Sequence, residues 1–295
     1  MTTLVTITGA GGNGGQAVAR AAAAAGYRVR LADMVAPPPD VLALGDFVRC
    51  DTRSVTDVQQ AVAGADAVVH LAAWHSAHRP PVSDATIFAV NIDGTFNVFE
   101  ACRAAGIGAI VYASSMAYGW GSVYGLTKVL GEEMCRTYHE LTGASIAMLR
   151  YHEFVPAPYL TFGPRLLRNG VDRQDVADAT VAALTGAVER RFGLFRTIVH
   201  TAHGIPDDVL ADFPAQGPAW LDAQVPGARE LIAKYDLPLP ERVEQHDLTE
   251  AKDVLGWAPK VGFLEFLRDL QARDARGEDV RSLVVPGTLV GVGPA

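Results

Sequence analysis

Residues 3–33, TLVTITGAGGNGGQAVARAAAAAGYRVRLAD, decide the fold. TLVTIT (3–8) is a short β-branched and apolar run suited to a buried strand, and RVRLAD (28–33) is a second. Between them, the Ala-rich segment 16–25 is a strong helix former able to pack closely on a sheet, and Gly26 stands where a helix C-cap is wanted. Strand, glycine turn, helix and strand make one βαβ unit, the building block of a parallel sheet.

The turn itself, TGAGGNGG (8–15), spaces Gly9, Gly12 and Gly15 three apart. Glycine there permits a tight turn, close approach of a pyrophosphate to backbone N–H groups and close helix–strand contact, while the helix N-terminus favours an anion. Asp33 ends the second strand, where a carboxylate would hydrogen-bond an adenosine ribose and repel a 2′-phosphate. Gly9, Gly12, Asn13, Gly14, Gly15 and Asp33 are therefore the candidate cofactor contacts, and NAD is expected over NADP. Arg28 and Arg30 in the same strand weigh the other way.

Further short apolar runs at 47–50, 66–71, 109–113 and 145–150 alternate with helical patterns at 54–63, 85–105 and 124–142. The expected fold is α/β, a Rossmann doubly wound parallel sheet over residues 1–150. Residues 151–295 are expected to form a smaller C-terminal substrate lobe interleaved with the last Rossmann elements, because 151–248 is rich in Pro and Gly and lacks regular alternation.

The 295-residue chain is 49% hydrophobic and 20% charged, with no apolar run long enough to span a bilayer, so no membrane association is expected. Its N-terminus lacks a basic region before an apolar one, so the reading is cytoplasmic. Thirty-three acidic against twenty-five basic residues give −8, and no basic cluster stands out, which argues against nucleic acid as a partner. Cys50, Cys102 and Cys135 are widely spaced and read as buried free thiols.

SSMAYGWGSVYGLTK (114–128) carries the chemistry. Tyr124 and Lys128 lie one helical turn apart on a shared face, where an ammonium is expected to lower the phenol's pKa and ready it to take a proton. Ser115, at a strand end, is placed to hold the same substrate oxygen. Ser122 is a second hydroxyl nearby, and Gly119, Gly121 and Gly125 ease the turn between strand and helix.

TGAGGNGG, HLAA (70–73), NIDGTFNVFEACRAAG (91–106), VYASS (111–115), YGLTK (124–128), NGVDRQDVADATVAAL (169–184) and DLTEAKDVLGWAPKVGFLEFL (247–267) occur in order along the chain. On these segments the chain resembles the extended short-chain dehydrogenase/reductase family, the epimerase, dehydratase and sugar-acid dehydrogenase group. The resemblance implies NAD, a Ser115–Tyr124–Lys128 catalytic set, and a homodimer formed through helices 91–105 and 124–142. It places Asp51 at the adenine and Leu71, Ala72 and Ala73 on the nicotinamide side, and has Lys128 also hold the ribose. Asn91, in a structural or relay role, and Tyr151 complete the implied cofactor set. Two departures stand out. Nine positions separate Ser115 from Tyr124, where most extended members have more than twenty, and only some fifteen residues lie between LRYHEF (149–154) and NGVDRQDV (169–176), where nucleotide-sugar enzymes carry a long diphosphate-gripping insert.

Substrate contacts are expected from Trp74, His75 and Ser76 in the loop after HLAA, from His152 after the sixth strand, and from Arg165 as a carboxylate clamp. Tyr118, Trp120, Tyr159 and Phe162 either floor a sugar ring or pack. His75 and His78 stand at i and i+3 without a third ligand, so no metal is expected. The tail SLVVPGTLVGVGPA is a loose end or lies along a neighbouring subunit. The sequence points first to NAD-dependent oxidation of a secondary alcohol or hemiacetal in a sugar, sugar acid or polyol. A nucleotide-sugar 4-epimerase is the alternative, and a non-catalytic NAD-sensing protein is an alternative of another class.

Overall fold

The computed structural model describes residues 2–75 and 80–285. Ser76, His78, Arg79 and the tail from 286 onward lie outside the described residues. The strands are β1 (Leu4–Thr8), β2 (Arg28–Asp33), β3 (Gly45–Arg49), β4 (Ala67–His70), β5 (Ala109–Ser115), β6 (Ser145–Tyr151), β7 (Ala157–Pro158), β8 (Leu194–Val199) and β9 (Val284–Val285). The chain divides into two compact units, one of Met1–Tyr151, Val176–Ile198 and Thr249–Trp257, the other of His152–Asp175, Val199–Leu248 and Ala258–Ala295.

The first unit is built on a seven-stranded sheet in the order β3-β2-β1-β4-β5-β6-β8. Leu4 pairs with Arg28, Val5 with Ala67, Val68 with Ile110 and Ala109 with Ser145, all in parallel. This is the doubly wound order, in which ligands bind beyond the carboxyl ends of the strands where the winding reverses, here between β1 and β4. Every residue of β1 and β4 is buried, as strands covered on both faces must be, so they read as continuous apolar runs. One core cluster joins Val58, Val98, Phe99, Ile110, Tyr138 and Ile146. Cys50, Cys102 and Cys135 are buried and free, and burial pushes the thiols of Cys50 and Cys102 up to about 12.

β8 and the helix Arg173–Val188 fall inside the stretch that composition marks as irregular. LFRTIV (194–199) is a strand-like run whose Pro- and Gly-rich surroundings mask it, and it closes the sheet beside β6. Tyr151 ends β6 with its side chain buried. Its hydroxyl bonds the Thr180 hydroxyl at 2.8 Å.

The second unit packs Phe162, Phe213, Phe263 and Phe266 from the helices Tyr159–Leu166, Phe213–Gln224 and Phe263–Ala275. A Cβ at Gly163 would lie 2.2 Å from the Phe266 ring, so only glycine allows this close approach. Tyr159 donates to Asp269 at 2.6 Å, and Asp269 also accepts from Arg273 at 2.8 Å. Of the two alternatives the sequence leaves open for Tyr159 and Phe162, packing holds. Among the described residues no helix is long and apolar enough to cross a membrane.

Candidate active site

The serine pair ending β5 divides between two tasks because neighbouring strand residues face opposite ways. Ser114 donates to Glu132 Oε1 at 2.6 Å, and the same carboxylate accepts from Arg150 Nε and Nη2 at 2.7 and 2.8 Å. Glu132 belongs to the Val123–Thr142 helix that also carries Tyr124 and Lys128, so this buried pair ties that helix to β5 and β6. Arg150 in turn stacks on Tyr118, 3.8 Å from the ring centre, while Trp120 is exposed.

Ser115 faces the other way: its Oγ accepts from Ala117 N–H at 3.1 Å and lies close enough to Tyr124 to act on its phenol. The nine-residue separation is bridged by compact turns. Tyr118 N–H donates to Ser115 O and Trp120 N–H to Ala117 O, both at 3.0 Å, and Gly119 takes a left-handed φ of +76°. A Cβ on Gly125 would meet the Trp120 carbonyl at 2.5 Å, so glycine lets the loop fold against the helix start. Gly121 has no such requirement. Ser122, the second hydroxyl of the loop, caps the helix by accepting from Gly125 N–H at 3.0 Å.

Burial raises the Tyr124 phenol above its usual pKa, and the neighbouring Ser115 hydroxyl partly offsets this. The lowering expected from Lys128 is not found. The lysine is itself buried; its Nζ donates to Ala113 O at 2.8 Å and stands 5.4 Å from the centres of both the Tyr112 and Tyr124 rings. Desolvation brings Lys128 down to about 8, so the ammonium form still prevails at neutral pH.

A buried hydrogen-bond chain links the glycine turn to this helix. Thr95 donates to Asn91 O at 2.5 Å, so its oxygen accepts from His70 Nε2 at 3.0 Å, which leaves His70 Nδ1 to accept from Thr8 at 2.7 Å. Burial holds His70 neutral, down at about 3. Asn91 sits in a π-helical turn, Ala89–Asp93. Its amide grips the Trp74 backbone from both sides, accepting from N–H at 2.8 Å and donating to the carbonyl at 2.9 Å, and also donates to Thr127 at 3.0 Å. Thr127 passes the chain to Tyr124 O at 2.8 Å. Asn91 thus positions the loop after β4. Thr8, His70, Thr95 and Thr127 enter the sequence reading only as members of the quoted segments, because their shared role exists only once the strands and helices bring them together.

Leu71, Ala72, Ala73, Asn91 and Lys128 line one recess. His75 sets its ring edge-on to Tyr124, centres 6.3 Å apart. On the glycine side, a Cβ at Gly15 would stand 2.0 Å from Gly9 O, and one at Gly9 would stand 2.7 Å from Ala72 N. Gly12 caps the first helix, Asn13–Ala24, without any side-chain hydrogen bond. Asp33 is oriented by Gly11 and Val35 N–H groups at 2.9 and 3.1 Å. Arg30 points elsewhere, donating to the carbonyls of Ala61 and Ala63. Asp51 is held by Arg53, whose Nε and Nη2 lie 2.9 and 2.6 Å from its two oxygens and keep its carboxyl below the usual range.

In the second unit, Arg165 already binds a carboxylate of its own chain, Glu153, at 3.1 Å, and donates to Val155 O at 2.8 Å. His152 stands in a histidine group with His200 and His246.

The profile of the NAD dependent epimerase/dehydratase family matches residues 5–167. The chain belongs to this family. Short-chain dehydrogenase/reductase family 42E member 1 of Danio rerio is 32% identical over 115 residues, 39% of this chain and 30% of that protein. The uronate dehydrogenase of Agrobacterium fabrum is 32% identical over 129 residues, 38% of this chain and 47% of that protein. The chain thus spans less than half the length of these curated relatives. A short-chain dehydrogenase/reductase superfamily protein of Agrobacterium tumefaciens, solved with bound NAD, shares the fold at a TM-score of 0.68 and 22% identity, covering 92% of this chain and 98% of that one.

The family is NAD-dependent, and the residues present fit that cofactor. Added Cβ atoms at Gly9 and Gly15 would collide with backbone, the residue capping the first helix is Gly12, and Asp33 stands at the end of β2.

Proposed function

We propose that the chain is an NAD-dependent oxidoreductase of the extended short-chain type, removing a hydride from a secondary alcohol or hemiacetal carbon of a sugar, sugar acid or polyol. The observation carrying this reading is that Ser115 lies close enough to Tyr124 to act on its phenol despite their short separation in sequence, with Lys128 buried one turn further along the helix. Gly9, Gly12, Asn13, Gly14 and Gly15 would hold the cofactor's pyrophosphate and Asp33 its ribose, with Leu71, Ala72, Ala73 and Lys128 on the nicotinamide side. Asp51 near the adenine is an outer contact, and Asn91 acts by positioning. When bound, NAD supplies the hydride acceptor and a positive charge.

Tyr124 takes the hydroxyl proton as the hydride leaves. Its raised pKa makes the phenol the resting form, so deprotonation depends on positive charge drawn into the site, from the Lys128 ammonium and from the cofactor. Ser115 donates to the substrate oxygen and fixes the carbon's orientation. His75, edge-on to Tyr124, and its neighbour Trp74 would contact the substrate. The uronate dehydrogenase relative supports sugar acids as the first class to try.

The test is nicotinamide absorbance on mixing protein with NAD and a panel of uronic acids, aldonic acids, free sugars and polyols. A rise that is lost in Tyr124→Phe supports the reading. Tightly retained NAD with interconversion of a nucleotide sugar and no net reduction would replace it with a 4-epimerase.

A further inference from the structure

Three segments distant in sequence, each within the second unit, bring His152, His200 and His246 together, with one ring nitrogen of each within 4.8 Å of the others. The ring centres of His152 and His200 are 4.1 Å apart, and that of His246 is 5.0 Å from each. Three imidazoles at tilted and edge-on angles gain little from one another as hydrophobes, and none of them belongs to the core cluster of this unit.

The hydrogen bonds assign the lone pairs. His200 Nε2 lies 3.1 Å from Arg168 O, which can only accept, so this nitrogen carries the proton and Nδ1 carries the lone pair. That Nδ1 is buried without a hydrogen-bond partner. A ring nitrogen donating to a backbone carbonyl while the other keeps its lone pair for a ligand is the arrangement that fixes metal-binding histidines. His152 Nε2 and His246 Nε2 lie 3.1 Å apart, and Glu244 Oε1 lies 3.0 Å from the second and 3.7 Å from the first. Two nitrogens bound to one cation at ~2.0–2.1 Å stand roughly 3.0–3.4 Å apart, which this pair matches. As protein-only contacts the arrangement is poor: a single proton on His246 Nε2 cannot serve both the carboxylate and His152.

We infer that His152, His200 and His246 form a binding site for a divalent cation of the zinc class, with Glu244 at its open side. Nitrogen donors in a buried setting select Zn²⁺ over Ca²⁺ or Mg²⁺, which require oxygen cages. The ion cross-links the residue after β6, the residue after β8 and the irregular stretch before the Thr249–Leu255 helix. Its role is to hold that stretch in place. This departs from the sequence expectation of no metal, which rested on His75 and His78.

The test uses tag-free protein incubated with one equivalent of Zn²⁺, passed through a desalting column, and analysed for bound metal and thermal midpoint. The expected result is about one zinc per chain, a midpoint raised by Zn²⁺ and lowered again by chelator, and no comparable effect of Mg²⁺. His246→Ala, at the most exposed of the three rings, should lose the zinc and the midpoint response while keeping its far-ultraviolet circular dichroism. His139→Ala, which removes a histidine outside the cluster, should retain both. Wild-type protein that retains no zinc, or a folded His246→Ala/His200→Ala double variant that retains it fully, would overturn the inference.

Discussion

Replacing Glu132 with Ala should be among the most damaging single changes outside the reacting groups. The carboxylate is 5% exposed and is bound by Arg150, whose side chain is 19% exposed, through two short charged hydrogen bonds, and by Ser114. Removing one member of a buried ion pair leaves the other charge uncompensated, at a cost of about 3–5 kcal/mol. Arg196, 3.6 Å away but 54% exposed, adds little to this because water screens it. Against a total stability of ~5–15 kcal/mol, the loss is large but survivable. Replacing both partners, Glu132→Leu with Arg150→Met, removes the two charges together and should cost much less, within about 2 kcal/mol, mainly from the lost Ser114 bond and the Tyr118 stack. The assay is urea unfolding of wild type, both single variants and the double variant, followed by far-ultraviolet circular dichroism. A loss below about 1 kcal/mol in Glu132→Ala, or a double variant as unstable as the sum of the singles, would show that the pair is not a coupled unit and refute the reasoning.

Tyr124→Phe should lower turnover by ~10³-fold or more while leaving NAD affinity, read by cofactor fluorescence, within a few-fold. Gly15→Ala places a Cβ 2.0 Å from Gly9 O, so the turn must shift; NAD affinity should fall by at least tenfold, whereas Gly121→Ala, with open space around it, should bind normally. His70 has its folded pKa lowered to about 3 against an ordinary 6.5, so its contribution to stability is complete above pH 6.5 and is lost as pH falls from there toward 3. Stability measured at pH 7 and 5 should therefore drop on acidification, with a smaller drop in His70→Gln. His152, His200 and His203 are shifted in the same direction and account for the remainder.

The sheet half is legible because its strands are short, buried on both faces and separated by helices with apolar periodicity. RVRLAD coincides with β2 residue for residue, and the helical pattern at 124–142 falls within one residue of the Val123–Thr142 helix that bears Tyr124. β8 is hidden because six strand-like residues are diluted by the glycines and prolines around them. The ionisation of Tyr124 departs from expectation for a different reason. A four-residue spacing gives a shared helix face but not the distance of a charge from a hydroxyl, nor the desolvation that outweighs it here. The histidine group is invisible in the sequence because its members lie 48 and 46 positions apart, with no spacing rule to join them.

The π-helical turn at Ala89–Asp93 holds one residue more than the α-helix would need there. Deleting any single residue of that turn would restore regular winding and rotate the preceding segment by about 100° relative to the helix beyond it, an angle set by 3.6 residues per turn. Asn91 could not then grip Trp74 and reach Thr127 from the same helix. Substitutions on the helix surface can therefore accumulate freely, whereas a change in its length would unhook the loop after β4 from the Tyr124 helix in one step. Natural variation in this segment should consequently alter residue identity while preserving residue count.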